Sequence, residues 1–223
     1  MSSAIRKSIF SGVLFTTGFA LFAKAWPANS IEHNQRPTED QRIEVLNKIK
    51  DNHNFKNLLN NQDVTVLTHS SKIPKVHQTS HVSQGLLFGP QRLEIDPIVF
   101  MDEKNKELHA YYHLGKNLAS FDGKIHNGVI STILDEFLCF CGFPYLPSKR
   151  GVTAKLSIDF LERVEPDATI LLRAKVIEHK GRKVIIGGHV ETLDAVPKKL
   201  AEANCVLVEP KWFKYFGWLP IFE

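Results

Sequence analysis

Strict alternation of apolar and polar residues dominates the second half of the chain. Every second residue is apolar in the segment 152–160, and the segment 170–176 repeats this pattern. A period of two is typical of strands that have one covered face. After a turn at Lys180-Gly181, apolar residues in the segment 184–190 indicate the return arm of a hairpin, and Ala201 to Val208 form another short strand. The pattern predicts an antiparallel series of strands.

One strong helix precedes these strands. The segment "HNGVISTILDEFLCFCGF" begins at His126, and its apolar residues cover most of the circumference of a helix. A helix that is apolar nearly all round is buried. Gly142 and Pro144 are expected to end it. A buried helix ahead of an antiparallel series predicts an α+β domain whose sheet wraps around a central helix at about residues 126–141.

The chain upstream of this helix contains a further hairpin and a helical extension. Residues 98–100 and 108–113 flank the polar turn "MDEKNKE" and are predicted to pair. Before them, Thr38 is a candidate cap for a helix that runs through about Leu59, with acidic residues in its first turn. We expect this helix to pack against the sheet domain.

The N-terminus resembles a targeting leader. Residues 1–26 contain basic residues, Ser and Thr, and no acidic residue precedes Glu32. This composition is typical of a mitochondrial transit peptide. The segment 9–23 is apolar on every side and falls short of the roughly 20 residues that cross a bilayer, although Lys24 and Trp26 are suited to an interface. A mitochondrial presequence with a short anchor is favoured over an ER signal or a buried helix.

Charge and cysteine content exclude some classes of function. Lys and Arg total 28 against 24 Asp and Glu, which gives a formal charge of +4 spread along the chain. Nucleic-acid binding requires a concentrated basic face, whereas a mild positive charge suits a small polyanionic ligand. Cys139, Cys141 and Cys205 form no CxxC motif, so buried free thiols and a reducing compartment are expected. The ten histidines show no HExxH or similar spacing, so no metal site is expected.

Several segments together resemble one enzyme family. "GKIHNGVISTILDE" is similar to the His-Gly-Gly…Asp segment of the PaaI-like branch of hotdog acyl-CoA thioesterases, and "HLGKNLASFDGKIHNG" is similar to fungal mitochondrial members. "VTAKLSIDF", "GRKVIIGGHVETLD" and "AEANCVLVEP" follow in the family's order. The resemblance covers roughly residues 80–210. It implies a hotdog fold, hydrolysis of an acyl-CoA to a free acid and coenzyme A, and a homodimer or dimer of dimers. It implies no cofactor, because coenzyme A is part of the substrate.

The chemistry of thioester hydrolysis points to two parts of the central helix. The helix start offers free N–H groups and a positive dipole end for a developing oxyanion. Asn127 and Gly128 lie there, and Asn127 stands where the family usually has Gly, although its backbone N–H is retained. A carboxylate on an apolar helix is costly unless it is paired or functional. We therefore expect Asp135 to act as the nucleophile or as the general base for a water.

The sequence assigns the residues around Asn127 and Asp135 less clearly. His126 is expected to cap or orient the helix start rather than act as a base, and Glu136 is expected to be structural or to lie at an interface. The resemblance assigns Thr153 a role in positioning the water or the acid. His126 and Asp135 are nine residues apart, about half a turn out of phase. This spacing disfavours a hydratase or dehydratase pair within one subunit.

Coenzyme A requires cations for its phosphates. Arg182 and Lys183 follow the hairpin turn, while Lys149 and Arg150 follow the central helix. These four residues are the candidates for binding the phosphates. The alternative is that they are ordinary turn residues whose charges are solvated. The competing function is a non-catalytic acyl-CoA-binding or scaffold protein at a mitochondrial membrane.

The predicted organisation has four parts. These are a targeting or anchor leader with its linker (1–36), a helical extension and loop (37–80), the hotdog domain (81–210) and a C-terminal tail (211–223). The expected location is mitochondrial, with membrane association through residues 9–26 if the leader is retained. Nucleic acid is not an expected partner.

The leader generates the first testable prediction. Fusing residues 1–36 to a soluble reporter should direct the reporter to mitochondria, because the segment is basic and free of acidic residues. Fluorescence microscopy measures the location, and alkaline extraction then separates an anchored leader from a cleaved one. A reporter in the ER or spread through the cytosol would contradict the prediction.

Overall fold

The computed structural model describes residues 3–24 and 43–213. The first segment is one helix, α1 (Ser3–Lys24). Its large apolar side chains between Ile9 and Phe19 are exposed, so the structure gives no support to a helix buried against the domain. The predicted linker, the Thr38 cap and the chain after Phe213 lie outside the described residues.

Seven strands form a single antiparallel sheet in the order β1-β2-β3-β5-β6-β7-β4. Their bounds are β1 (Val64–Thr68), β2 (Ile98–Asp102), β3 (Glu107–Leu114), β4 (Val152–Phe160), β5 (Ala168–Lys180), β6 (Lys183–Thr192) and β7 (Lys199–Val208). The predicted hairpins β2–β3 and β5–β6 are confirmed. The first strand, β1, was not predicted, because its five residues are short and its neighbours lack periodicity. It pairs with β2 and forms one edge of the sheet.

The central helix is α5 (Asn127–Gly142). It lies across the sheet and packs on strands β3 to β7, with Ile133, Leu134, Phe137 and Leu138 fully buried. By length and composition alone, the segment Asn127–Tyr145 is the one helix in the described part of the chain that qualifies as a membrane span. Half of that segment is buried inside the domain, as expected for a core helix. The predicted α+β hotdog architecture is confirmed.

Two glycines allow α5 to approach the sheet closely. A Cβ atom at Gly188 would lie 2.6 Å from Leu138 Cδ2 and 2.6 Å from the Arg173 carbonyl oxygen. A Cβ atom at Gly142 would lie 2.9 Å from side chains of β6 and β7. Gly142 therefore serves close packing, and it is also the last residue of the α-helix, as predicted. The helix continues into a 3₁₀ turn, Phe143–Tyr145.

Two short helices cover part of the opposite face of the sheet. They are α2 (Ile43–Asp51) and α3 (His53–Leu59), and they contribute Ile49 and Phe55 to a second apolar cluster on the sheet. The sequence predicted one continuous helix here. The chain breaks at Asn52 instead, because its side-chain oxygen accepts hydrogen bonds from the N–H groups of Asn54 and Phe55 and so starts a new helix. Between β1 and β2 the chain also forms a 3₁₀ turn (His69–Lys72), α4 (Lys75–Gln78) and a π-helical turn (Val82–Leu86).

The close approach at Gly188 generates the second prediction. Gly188→Ala should lower the free energy of unfolding by about 1–3 kcal/mol, because the added methyl overlaps both α5 and the backbone of β5. Lys183→Ala, at an exposed residue of the same strand, is the matched control and should change stability by less than about 0.5 kcal/mol. Chemical denaturation of the full-length chain measures both values, and equal midpoints would contradict the prediction.

Candidate active site

A cavity of about 630 Å³ opens beside α5, between this helix, the start of β4 and the segment that follows β1. Its apolar wall is formed by Ile73, Met101, Phe140, Phe143 and Pro144. Its polar lining comprises His69, Lys72, His81, Glu103, Asp135, Glu136, Lys149 and Thr153. A cavity of this size that combines an apolar wall with convergent polar groups is typical of a small-molecule site.

Asp135 and Thr153 meet inside this cavity. The Thr153 hydroxyl donates a hydrogen bond of 2.8 Å to Asp135 Oδ1. Thr153 Oγ1 also lies 3.0 Å from Cys139 Sγ. A hydroxyl has one proton to donate, so the Cys139 thiol is the donor in the second contact. The contact with Cys139 and burial raise the pKa of the nearby Cys205 thiol.

A β-bulge turns Thr153 toward the helix. The pairing of β4 with β7 skips one residue between Thr153 and Lys155. Alternation alone would place Thr153 on the face opposite Leu156, yet both are partly buried on the side of α5. The extra residue, Ala154, reverses the face on which the following residues lie. The regular alternation read from the sequence therefore holds for β4 only after the bulge.

The start of α5 is capped by the side chain of His126. His126 Nδ1 accepts a 2.9 Å hydrogen bond from the Gly128 N–H, as expected for a capping residue. A Cβ atom at Gly128 would lie 2.8 Å from this nitrogen, so the cap requires glycine there. Asn127 is held by Arg163, whose Nη1 donates to its Oδ1 at 3.2 Å. Since the Gly128 N–H is already bonded, the Asn127 N–H is the free donor at this end within the described chain.

Helix geometry separates this donor from Asp135. Asn127 and Asp135 are eight residues apart on one straight helix, which corresponds to about 12 Å along its axis. Reacting groups must lie within about 3–3.5 Å of the same atoms. The structure therefore does not bring the predicted oxyanion donor and the predicted carboxylate together within one chain. It brings together Asp135, Thr153 and Cys139.

A second polar group of the cavity lining contains Glu136, His81 and His69. Glu136 Oε1 lies 3.6 Å from His81 Nδ1, and the His69 ring meets the His81 ring edge to face. Burial raises the pKa of Glu136 to about 7 despite hydrogen bonds from Ser83, and the Asp135 charge adds to the increase. Burial lowers the pKa of His69 to about 3 and also lowers that of His81.

These two histidines were missed from the sequence. Neither His69 nor His81 belongs to a periodic element or a recognisable motif, so only the fold reveals that they face α5. Glu136 was expected to be structural or to lie at an interface, and the structure places it in the wall of the cavity.

The four predicted coenzyme A cations lie at one end of the sheet. Val152 and Lys183 both pair with Val208, so the starts of β4 and β6 are brought together. Lys149 lines the cavity, and Arg150 follows it. The Arg182 guanidinium already donates a 2.7 Å hydrogen bond to the Glu209 carbonyl, which leaves it less available. A further cation in the cavity wall, Lys72, was not predicted.

Comparison with known proteins places the chain in a family. An uncharacterized mitochondrial protein of Candida albicans is 50% identical over 93% of this chain and 94% of the relative. MIOREX complex component 3 of Saccharomyces cerevisiae is 42% identical over 93% of this chain and 92% of the relative. The model of the thioesterase superfamily matches residues 122–196, which include α5 and strands β4 to β6. The chain belongs to the thioesterase superfamily.

More distant members of the superfamily were also found. The acyl-coenzyme A thioesterase THEM4 of Rattus norvegicus is 24% identical over 56% of this chain and 53% of the rat protein. Among solved structures, a thioesterase superfamily protein from Shewanella loihica has a TM-score of 0.41 and 20% identity, covering 48% of this chain and 86% of that chain. The predicted family resemblance is confirmed, while the roles of the individual site residues stay predictions.

Proposed function

We propose that this thioesterase superfamily member hydrolyses acyl-CoA thioesters to a free acid and coenzyme A. The observation that carries the proposal is the Asp135 carboxylate, which is held by the Thr153 hydroxyl at 2.8 Å in the wall of a largely apolar cavity. An acyl chain fits apolar walls, and a carboxylate beside them can attack the thioester carbonyl or remove a proton from water. The distant relationship to rat acyl-coenzyme A thioesterase THEM4 supports the same reaction class.

The oxyanion of the reaction requires a donor that Asp135 does not supply. The Asn127 N–H lies at the positive end of α5 and is the free donor there, as described above. Because it lies about 12 Å along the helix from Asp135, we infer that it serves the Asp135 of a second subunit. A two-fold homodimer would contain two such shared sites.

The sheet edge supports dimer formation. Strand β4 pairs with β7 on one side and forms an edge of the sheet on the other. Val152, Phe160 and the following Leu161 are exposed there, at 47%, 42% and 52%. Exposed apolar residues on an unpaired edge favour pairing with another chain. A dimer that uses β4 would also bring a second copy close to Thr153.

Coenzyme A is proposed to bind with its phosphates near the C-terminal end of α5. Lys149 lines the cavity and Arg150 follows it, while Lys183 lies on the adjacent strand. Charge-assisted hydrogen bonds from these cations suit phosphate oxygens. The position would direct the pantetheine arm from this end of the cavity toward Asp135.

One observation favours a second function, acyl-CoA binding without turnover. The Gly128 N–H is bonded to His126 and Asn127 occupies the position of the usual family glycine, so the helix start offers fewer donors than two free amides would. A protein that binds acyl-CoA at a membrane would keep the cavity and the cations. The hydrolysis assay below separates the two functions.

A mitochondrial location is proposed for this chain. The relative from Candida albicans carries a mitochondrial description and matches 93% of this chain. The composition of residues 1–26 is consistent with that location. The exposed apolar side chains of α1 would associate with a membrane if the helix is retained.

Asp135→Asn generates the third prediction. The amide keeps the size of the side chain but loses the charge, so turnover should fall at least about 100-fold while acyl-CoA binding is retained. Full-length protein is assayed against acyl-CoAs of graded chain length, with release of the free thiol as the readout. Asp159→Asn, at an exposed acid of β4, is the matched control and should keep full turnover.

Two outcomes would contradict the proposal. Near-normal turnover in folded Asp135→Asn protein would remove Asp135 from the mechanism. Acyl-CoA binding by the wild-type chain without release of thiol at any chain length would favour the binding function.

Mixed dimers generate the fourth prediction. Asn127→Pro removes the N–H at the first helical position, where proline is tolerated, and His126 already has the extended backbone that precedes proline. Asp135→Ala removes the carboxylate. Each homodimer should be inactive, but a heterodimer contains one intact site. Co-refolding should restore about half the wild-type activity per heterodimer if sites are shared and independent.

The control for this experiment is Asn127→Ala, which loses the contact with Arg163 but keeps the N–H and should stay active. Heterodimers are isolated through two different tags. If they form and remain inactive, both groups must act within one chain, and the shared site is wrong.

A further inference from the structure

Three residues from separate segments converge on one wall of the cavity. They are His69 from the 3₁₀ turn after β1, His81 from the cap of the π-helical turn, and Glu136 from α5. One nitrogen or carboxylate oxygen from each lies within 4.8 Å of the other two. The closest measured pair is His81 Nδ1 and Glu136 Oε1, at 3.6 Å. All three residues face the open space of the cavity.

The protein leaves acceptor atoms of this group without donors. Glu136 Oε2 is buried and has no hydrogen-bond partner within the described residues. The contacts of His81 Nδ1 with the Gln84 N–H and the Ser83 hydroxyl are long, at 3.4 Å each. The neutral form of an imidazole, which is the form that binds metal ions, has one nitrogen lone pair to offer. Buried acceptors that face one another are unfavourable unless a proton or a metal cation lies between them.

A comparable cluster elsewhere shows the contrast. His113 Nε2 lies 3.2 Å from Glu94 Oε2 and 3.1 Å from Asp167 Oδ1, while its Nδ1 contacts the Thr169 hydroxyl at 3.1 Å. Both ring nitrogens of that histidine are therefore engaged by the protein itself. This cluster connects β3 to the start of β5. Its histidine has no ring nitrogen left for a further ligand.

Gln84 supports a specific tautomer of His69. Its side-chain amide contacts His69 Nδ1 at 3.2 Å, and its Oε1 is buried without a partner in the orientation drawn. Exchanging the amide oxygen and nitrogen, which have nearly equal shapes, allows Oε1 to accept a hydrogen bond from the Nδ1–H. The Nε2 lone pair of His69 is then free, which is the arrangement that metal-binding histidines usually have.

We propose that His69, His81 and Glu136 bind a divalent transition-metal ion, zinc in the first instance. Two imidazoles and one carboxylate form a ligand set that zinc accepts, with a fourth position left for water or a substrate atom. That fourth position would face the cavity. The cavity is also lined by Asp135, the residue before Glu136 on α5. The site goes beyond the proposed hydrolysis, which uses Asp135 and Thr153.

The distances between the three donor atoms would fit such an ion after small movements of the side chains. Donor atoms around tetrahedral zinc are about 3.4 Å apart, given metal–ligand distances of about 2.0–2.2 Å. The His81–Glu136 pair already has nearly this separation. The remaining donors lie within 4.8 Å, so movements of roughly 1 Å would complete the set. His69 lies in a short 3₁₀ turn and His81 is the residue before a short π-helical turn, so neither is fixed by strand pairing.

The sequence predicted no metal site because it contains no HExxH or similar local motif. His69 and His81 are twelve positions apart, and Glu136 follows much later on another element. Only the folding of the segment after β1 over α5 brings them together.

The test measures metal binding directly on the full-length chain. Protein stripped with a chelator is titrated with Zn²⁺ by calorimetry, and the wild type should bind one ion per chain. Glu136→Gln and His81→Asn keep size and capping ability but should each weaken binding about tenfold or more. His189→Asn is the matched control, because His189 also faces a glutamate at 3.4 Å but lies outside the cavity. Its affinity for zinc should not change.

Cobalt provides a readout that does not depend on the variants. Co²⁺ in the wild-type protein should give the intense visible absorption of a tetrahedral ion with nitrogen and oxygen ligands. A sulfur-to-cobalt charge-transfer band would place the ion at Cys139 and Cys205 instead and overturn the proposal. Absence of stoichiometric binding, or equal affinity in wild type and both variants, would also overturn it. None of these measurements uses a thioester, so their outcome is independent of the hydrolysis assay.

Discussion

Burial of α5 against the concave face of the sheet is the contact on which the rest of the structure depends. The helix is apolar over most of its circumference, and its four central side chains are fully excluded from solvent. Each such side chain contributes about 1.5–3 kcal/mol by leaving water. Gly142 and Gly188 bring the helix close enough for this contact to be continuous. The few polar residues on α5 must therefore lie along its one uncovered strip, which is where the cavity opens.

That strip concentrates the chemistry. Asp135 and Glu136 are adjacent in sequence but have different surroundings. Asp135 meets a hydroxyl that donates to it, whereas Glu136 is enclosed with two neutral histidines, and burial raises its pKa. A helix whose other faces are fixed by packing holds both carboxylates rigidly. The same rigidity keeps Asn127 away from Asp135, which is why the proposed reaction requires a second chain.

Much of the fold followed from the sequence, because its strands and central helix are long and periodic. A sheet around a helix could be predicted from three features of the sequence. These are the apolar pattern of the segment that forms α5, the alternation in β5, and the polar turn between β2 and β3. Asp135 was singled out because a carboxylate on an apolar helix requires a reason. The break at Asn52 was missed because a side-chain cap competes with a helical pattern that continues through it. His69 and His81 were missed because their meaning depends on a long-range contact that no local pattern encodes.

The bulge at Ala154 gives β4 two independent halves. Before it, the inward residue is Thr153, and beyond it the inward residues are Leu156 and Ile158. One extra residue thus makes the orientation of Thr153, which faces the cavity, independent of the orientation of the residues after the bulge. Those later residues pack on the core and form the outer edge. Substitutions along the outer half can change the exposed edge of the sheet without rotating Thr153 away from Asp135. Loss of Ala154 would have the opposite effect, since it would turn the Thr153 hydroxyl to solvent and leave the residues of the edge in register. The exposed edge and the hydrogen bond to the carboxylate can thus change independently along one strand.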